Sequence, residues 1–385
     1  MQPLAGVKVL DLSRLLPGPL ASLVLGDLGA QVDKIEDMQG GDYLRHMPPQ
    51  IGDTSSVFLA INRNKRSAVL DLKKPRGKEA FLRLVRGYDV LLEQFRPGVL
   101  DRLGLGHAKL REENPRLVVC ALTGYGQDGP LAQRAGHDLN YLARGGVLAL
   151  NGPSGGPPSV SGVQLADISG GLYAVLGIMG ALMERARTGQ GSMVDVAMIE
   201  TAMPFALFGY GLQFGGQPPS GGAEAIIGGI APYQTYATSD GKAMSLASLE
   251  PKFWMSFCEG AGLTPDMSDL VPGPHQAALK AKLAALFASK TREEWVQFAR
   301  NRDCCLEPVL TPGEAMADAH LAARGMFFTL PSPWGPLPQM RTPLTPKERA
   351  HAPPPKQGEH TDAILRDAGF DDAQIASLRN DGAIA

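Results

Sequence analysis

The first forty residues constrain the fold more than any other stretch of the chain. Residues 7–12 are apolar, Pro17-Gly18-Pro19 breaks the chain, 21–28 suit a helix, and 31–35 read as a second strand that ends on the acid Glu36. Strand, turn, helix and strand in that order make a βαβ unit, which joins parallel strands. An acid ~20 residues beyond the first turn is where a dinucleotide-binding fold holds a ribose. The turn from Ser13 to Pro19 has no GxGxxG, however, and its prolines withhold backbone donors, so nicotinamide binding is disfavoured. A helix over 76–86 follows, with Ala80, Phe81, Leu84 and Val85 on one face, then strands over 89–93 and 117–122. The pattern predicts an α/β fold with a parallel sheet.

Glycine and proline crowd residues 151–162 and again 215–232. Between them the sequence predicts a helix over 170–187, stopped at Thr188-Gly189 where glycine takes the left-handed cap, and a strand over 192–196. Beyond 232, strands over 233–238 and 243–246 flank an Asp240-Gly241 turn, and helices follow over 251–260 and 291–301. The expected organisation is a large Rossmann-like domain over 1–200, a linker over 201–224, a smaller α+β domain over 225–330 and a return linker over 331–344. Residues 345–385 are expected to complete the large domain, with Thr361 capping a helix over 362–367.

The chain of 385 residues carries 37 Lys+Arg against 39 Asp+Glu, so no global basic field favours nucleic acid or an anionic membrane. At 44% hydrophobic and 20% charged it is an ordinary globular composition, and its 46 glycines and 31 prolines follow no fixed period, which excludes collagen and solenoid repeats. Cys120, Cys258, Cys304 and Cys305 give neither a disulfide framework nor a metal-ligand pair. With no targeting signal, and with an apolar run over 170–183 that falls short of the ~20 residues of a membrane span, the expectation is a soluble cytoplasmic protein.

Between Asn62 and Arg86 nine basic residues face only Asp71 and Glu79, a local charge of +7. Such a run is either a solvated helix face or a phosphate site. Asn62-Arg63-Asn64-Lys65 precedes a strand near the ligand-binding edge of an α/β sheet, and Gln94-Phe95-Arg96, after the strand at 89–93, sets an aromatic ring beside a guanidinium. That pair suits an adenine and a phosphate. His137, in Gly136-His137-Asp138-Leu139-Asn140-Tyr141, is structural or catalytic. Asp167 opens an apolar helix and is an N-cap, a catalytic acid, or both, and Glu250 before Pro251 likewise opens a helix or acts chemically.

Taken together, eight ordered blocks give the chain a resemblance to the class III CoA-transferase superfamily, and within it to the α-methylacyl-CoA racemases. They are Pro17-Gly18-Pro19, Asn64 through Lys73, Phe95-Arg96-Pro97-Gly98-Val99, Gly136 through Tyr141, Leu165-Ala166-Asp167, Arg187 through Gly191, Leu249 through Trp254, and Gly358-Glu359-His360-Thr361. The resemblance implies an intertwined homodimer and an acyl-CoA thioester substrate, with CoA entering as part of that substrate and no prosthetic group or metal. It implies His137 and Asp167 as two bases flanking the α-carbon of a 2-methylacyl-CoA, with Glu250 orienting the imidazole. Backbone donors at the helix start near Asp167 are expected to stabilise the enolate oxygen. Asn62, Arg63, Asn64, Lys65, Gln94, Phe95, Arg96, Arg102 and Asp138 are expected to bind CoA. Relatives commonly carry an arginine after the acid that ends the second strand, where this chain has Asp37 and Met38. The alternatives are a CoA-transferase with Asp167 as nucleophile, and a CoA-ester binding protein without turnover.

Overall fold

Six short apolar runs assemble into one parallel sheet: β1 (Lys8–Asp11), β2 (Gln31–Glu36), β3 (Lys65–Val69), β4 (Val90–Glu93), β5 (Val118–Thr123) and β6 (Met193–Ala197). Their spatial order is β3-β2-β1-β4-β5-β6, a doubly wound sheet whose strand order reverses between β1 and β4. The computed structural model that defines them describes residues 2–385. Val9 of β1 pairs with Val32 of β2 and Val90 of β4, and all three are buried. Every position of β5 is buried, as a strand covered on both faces requires.

The sheet belongs to the first of two units, which takes residues up to 142 together with 164–202 and 319–385. Its helices include α1 (Pro17–Asp27), α2 (Pro75–Val85), α3 (Asp138–Arg144) and α4 (Leu165–Thr188). Proline opens α1 and α2 in the first turn, where its missing N–H costs nothing. Ala80, Phe81, Leu84 and Val85 are buried on one face of α2, as their spacing predicts. At its end α4 stops where expected, on Gly189 with φ 76°, but it starts at Leu165 rather than at 170. With 24 residues and a mean hydropathy of 1.6 over its most apolar window, α4 is long and apolar enough to cross a membrane, which corrects the sequence estimate. One side of it packs against α1, β5 and β6.

Two glycines let α4 approach this closely. A Cβ on Gly171 would meet the carbonyl oxygen of Pro17 at 2.6 Å, and one on Gly170 would meet Met198 Cγ at 2.8 Å. The second turn of α4 is thereby pressed against the start of α1 and against Met198.

The free edge at β3 is covered by the end of the chain. His360 N donates to Ser67 O (2.8 Å), Asp71 N donates to Ala383 O (2.8 Å), and Leu70 bridges Ile384. The helix here is Thr361–Asp367 and its N-cap is His360, so Thr361 is not the cap: its Oγ1 accepts from Val69 N (3.1 Å) and donates to Gly358 O (2.9 Å). A further helix, Asp372–Asn380, is capped by Asp371.

The second unit comprises 143–163 and 203–318. Its strands β7 (Tyr233–Ala237), β8 (Ala243–Ala247) and β9 (Leu306–Pro308) form an antiparallel sheet in the order β9-β8-β7. The β7–β8 hairpin turns at Gly241, whose φ of 72° suits glycine. Helices α5 (Pro251–Ala261), α6 (Gln276–Phe287) and α7 (Arg292–Ala299) supply Trp254, Phe257, Phe287 and Trp295 to an aromatic core. Phe287 and Trp295 sit 4.6 Å apart, centroid to centroid.

Candidate active site

The turn after β1 is held in an unusual shape by carboxylates. Asp11 accepts from Ser13 N (2.8 Å), Ser13 Oγ (2.5 Å) and Ser22 Oγ (2.6 Å). Leu15 adopts φ 61°, left-handed for a branched residue, and its amide donates to Asp42 Oδ1 (3.0 Å). The turn after β4 is tied to it through Gln94, whose Oε1 accepts from Gly18 N (3.2 Å). A side chain on Gly18 would strike both Ser13 and that oxygen. These turns lie at the carboxyl ends of β1 and β4, where the strand order reverses and such sheets bind ligands.

A groove of about 680 Å³ opens there, lined by Arg14, Gln94, Phe95, Arg96, His137, Asn140, Tyr141 and Asp167 among others. A neighbouring groove of about 440 Å³ shares Leu12, Arg14, Tyr43, Phe95 and Val99 with it. Both volumes are those of ordinary small-molecule sites.

His137 precedes α3, where its amide donates to Asn140 Oδ1 (3.1 Å) and its carbonyl accepts from Asn140 N (2.8 Å). Asp167 lies in the first turn of α4, past the cap position held by Gln164, so it is not the N-cap. Burial, and then the charge of Asp138, push the Asp167 carboxyl up to about 6, against the pull of His137. Burial also pushes the Tyr141 hydroxyl up to about 12, with Asp167 adding to the effect, while that hydroxyl donates to Gly136 O (2.6 Å).

Of the donors expected to stabilise an enolate near Asp167, the amides of Ala166, Asp167 and Ile168 are already used. Asp138 Oδ1 accepts from Ala166 N (2.6 Å) and Asp167 N (3.2 Å), and Ile168 N bonds to Gln164 O (2.9 Å). This corrects the expectation of an oxyanion site at the start of α4, and the same bonds turn the Asp138 carboxylate inward, away from a CoA-binding role.

The basic loop before β3 requires a second correction. Arg63 is fully buried and forks onto Asp27, with a third bond to Gln339 Oε1 (3.0 Å). Asn62 bonds Phe58 O (3.0 Å), and Asn64 bonds Asp27 Oδ1 (2.7 Å) and accepts from Ala352 N (2.8 Å). Lys65 donates to Pro19 O (2.9 Å) and Asn62 Oδ1 (2.7 Å), and burial lowers its pKa to about 7. None of the four side chains lines either groove. A buried cation already compensated from within has little left to offer a phosphate. Arg102 is exposed and also lines neither groove.

Sequence reasoning passed over Arg14, the guanidinium common to both grooves. It lies 5.0 Å from the Tyr43 ring and 5.9 Å from the Phe95 ring, with Asp37 Oδ2 3.5 Å away. Its only signal in the sequence is its place in the turn after β1. Glu250 lies in the second unit as the N-cap of α5, ahead of Pro251, where its exposed side chain makes no capping bond.

The profile of CoA-transferase family III matches residues 4–361. Alpha-methylacyl-CoA racemase of Mus musculus is 39% identical over 98% of this chain and 96% of its own length. Succinyl-CoA:glutarate CoA-transferase of Mus musculus is 31% identical over 100% of this chain and 91% of its own. Among solved structures, a CaiB/BaiF family protein from Brucella suis superposes with a TM-score of 0.83 at 32% identity, covering 95% of this chain and 99% of that one. The match through nearly the whole chain settles the family: the protein belongs to CoA-transferase family III.

Proposed function

We propose that the protein racemises 2-methylacyl-CoA thioesters at the α-carbon by two-base proton transfer, with His137 and Asp167 as the bases. The observation that carries this reading is that both residues line one groove, in which burial and the charge of Asp138 push the Asp167 carboxyl up to about 6. One base removes the weakly acidic α-proton, leaving an enolate, and the other returns a proton to the opposite face. The C–H bond broken is replaced by one C–H bond formed, so no second substrate is consumed. A carboxyl near 6 is suited to both duties, being charged often enough to accept and neutral often enough to donate.

Phe95 and Arg96 are assigned to the CoA end of the substrate, since both line the groove and Arg96 is exposed to it. Glu250 enters through the resemblance alone, as the group that steadies the histidine. A homodimer is part of the reading. Leu172, Tyr173, Leu176 and Met183 form an apolar face along α4 that is exposed in the single chain, and a second copy of the chain would cover it. All four cysteines are free thiols, in keeping with a cytoplasmic setting.

The second reading is CoA transfer between carboxylic acids with Asp167 as the nucleophile. It is favoured by the transferase relatives at comparable identity. Incubating (2R)-2-methylacyl-CoA in deuterated water separates the two. Deuterium at the α-carbon, without any acid acceptor, is the expected result. Absence of exchange together with ready movement of CoA between two acids gives the site to the transferase, and absence of both leaves a binding protein.

A further inference from the structure

Two observations single out Asp138. The helix carrying Asp167 has no cap of its own, because the side chain of Gln164 makes no capping bond, yet its Ala166 and Asp167 amides are both satisfied. Their acceptor is one carboxylate oxygen that arrives from 28 residues away. Asp138 is also the residue directly after His137, whose own backbone is pinned by Asn140. The peptide bond to His137 and the side-chain bonds to α4 therefore join the backbones of both candidate bases through one residue.

We infer that Asp138 is a positioning residue which, by capping α4 from α3, fixes the placement of Asp167 against His137. The inference rests on the proposed reading of these two as the proton-transfer pair. A helix N-terminus left open attracts anions. Filling it with a fixed carboxylate removes that attraction, so Asp167 in the same turn sits beside a negative charge. The charged and titratable groups around Asp167 are Asp138, which favours its protonated form, His137, which favours the ionised form, and the phenol of Tyr141. The Arg96 guanidinium, which lines the same groove, favours the ionised form of the Tyr141 hydroxyl. Of these, only Asp138 bonds the backbone of Asp167. The arrangement accounts for an aspartate on α3 that lines neither groove.

The test uses Asp138→Asn, which keeps an oxygen to accept the amides but removes the charge, and Asp138→Ala, which removes both. Asp138→Ala is expected to lower kcat for α-proton exchange by about 100-fold, the scale of a small misplacement of a catalytic group, with KM little changed. Asp138→Asn is expected to keep most of kcat at neutral pH while the acidic limb of the pH profile moves down. A rise in KM with kcat unchanged would instead make Asp138 a substrate-binding group and overturn the inference, as would parent-like kcat and pH profile in both variants. Carboxyl NMR of Asp167 in the substrate-free protein keeps this test apart from the reaction assignment. Its titration should fall in Asp138→Asn whichever reaction the site performs, and an unmoved titration sinks the inference even if racemisation is found. Asp138→Asn is isosteric, so it also reports if Asp138→Ala fails to fold.

Discussion

Arg63 and Asp27 form a forked ion pair with no solvent on either side chain: Nη2 to Oδ2 is 2.5 Å and Nε to Oδ1 is 3.1 Å. Asn64 and Thr342 add bonds to the same carboxylate, at 2.7 and 2.8 Å, and His351 Nδ1 lies 3.4 Å from it. The pair thus joins α1, the loop before β3 and the returning C-terminal segment within the first unit.

Removing one partner of such a pair strands a buried charge. Arg63→Met is expected to lower the stability of the chain by about 3–5 kcal/mol in urea unfolding. Affinity for an acyl-CoA ester, measured at low temperature where the variant remains folded, should be unchanged. A weakened CoA affinity with stability intact would restore Arg63 to the phosphate site.

Acid should unfold the protein through this pair and one other. Burial works against ionising Asp27 and Glu36, but His351 and Arg63 hold Asp27 at about 2, and Arg45, Lys34 and Ser67 hold Glu36 at about 2. Both values lie below the ordinary 3.8 and 4.5, so the unfolded chain binds more protons on acidification. Their contribution is fully present above about pH 4.5 and is lost as pH falls to about 2, on the order of 2–3 kcal/mol from each. Lys65, held at about 7 by burial, should make urea midpoints decline first as pH falls toward about 7, and the loss carried by the two carboxyls should appear as a separate, steep fall below about pH 4.5. A profile without that second fall would assign acid stability elsewhere.

Arg96 offers the opposite case, a groove cation with no ion-pair partner among the described residues. Arg96→Ala is expected to weaken CoA-ester binding by about 1.5–3 kcal/mol, the worth of a hydrogen bond to a charged group, with thermal stability unmoved. The loss should shrink as salt is raised. Unchanged affinity at low salt would remove Arg96 from the site.

What the sequence made legible follows from the range of its signals. The strands at 31–35, 89–93 and 117–122 and the helix at 76–86 fall within a residue or two of β2, β4, β5 and α2, because each carries its own apolar pattern. The start of α4 was read five residues late, since its first turn is stabilised by Asp138 across 28 residues, and periodicity has no access to that contact. The loop Asn62 to Lys65 was misread for the same reason. Its positive charge is visible in the sequence, but the neutralising Asp27 lies 36 residues before Arg63. Arg14 was passed over because one arginine in a turn has no spacing to betray it. The helix Gln276–Phe287 went unread because its alanines blur any apolar stripe.

The two reaction readings part at Asp167. As a proton donor and acceptor, it should lose racemisation when changed to Asn while CoA-ester binding stays largely intact, and no covalent adduct should form on the unmodified protein, because the path runs through an enolate and not an anhydride. As a nucleophile it would be labelled at this position by hydroxylamine or borohydride during turnover. The complement is His137→Ala. A two-base racemase should lose nearly all racemisation, since no group remains to serve the opposite face of the carbon, whereas acyl transfer through Asp167 makes no use of the imidazole and should keep much of its rate. The elevated proton affinity of Asp167, raised to about 6 by burial and by Asp138, also predicts an acidic limb near pH 6 in kcat/KM for exchange. A trapped adduct on Asp167, together with a fully active His137→Ala variant, would transfer the site to CoA-transferase chemistry.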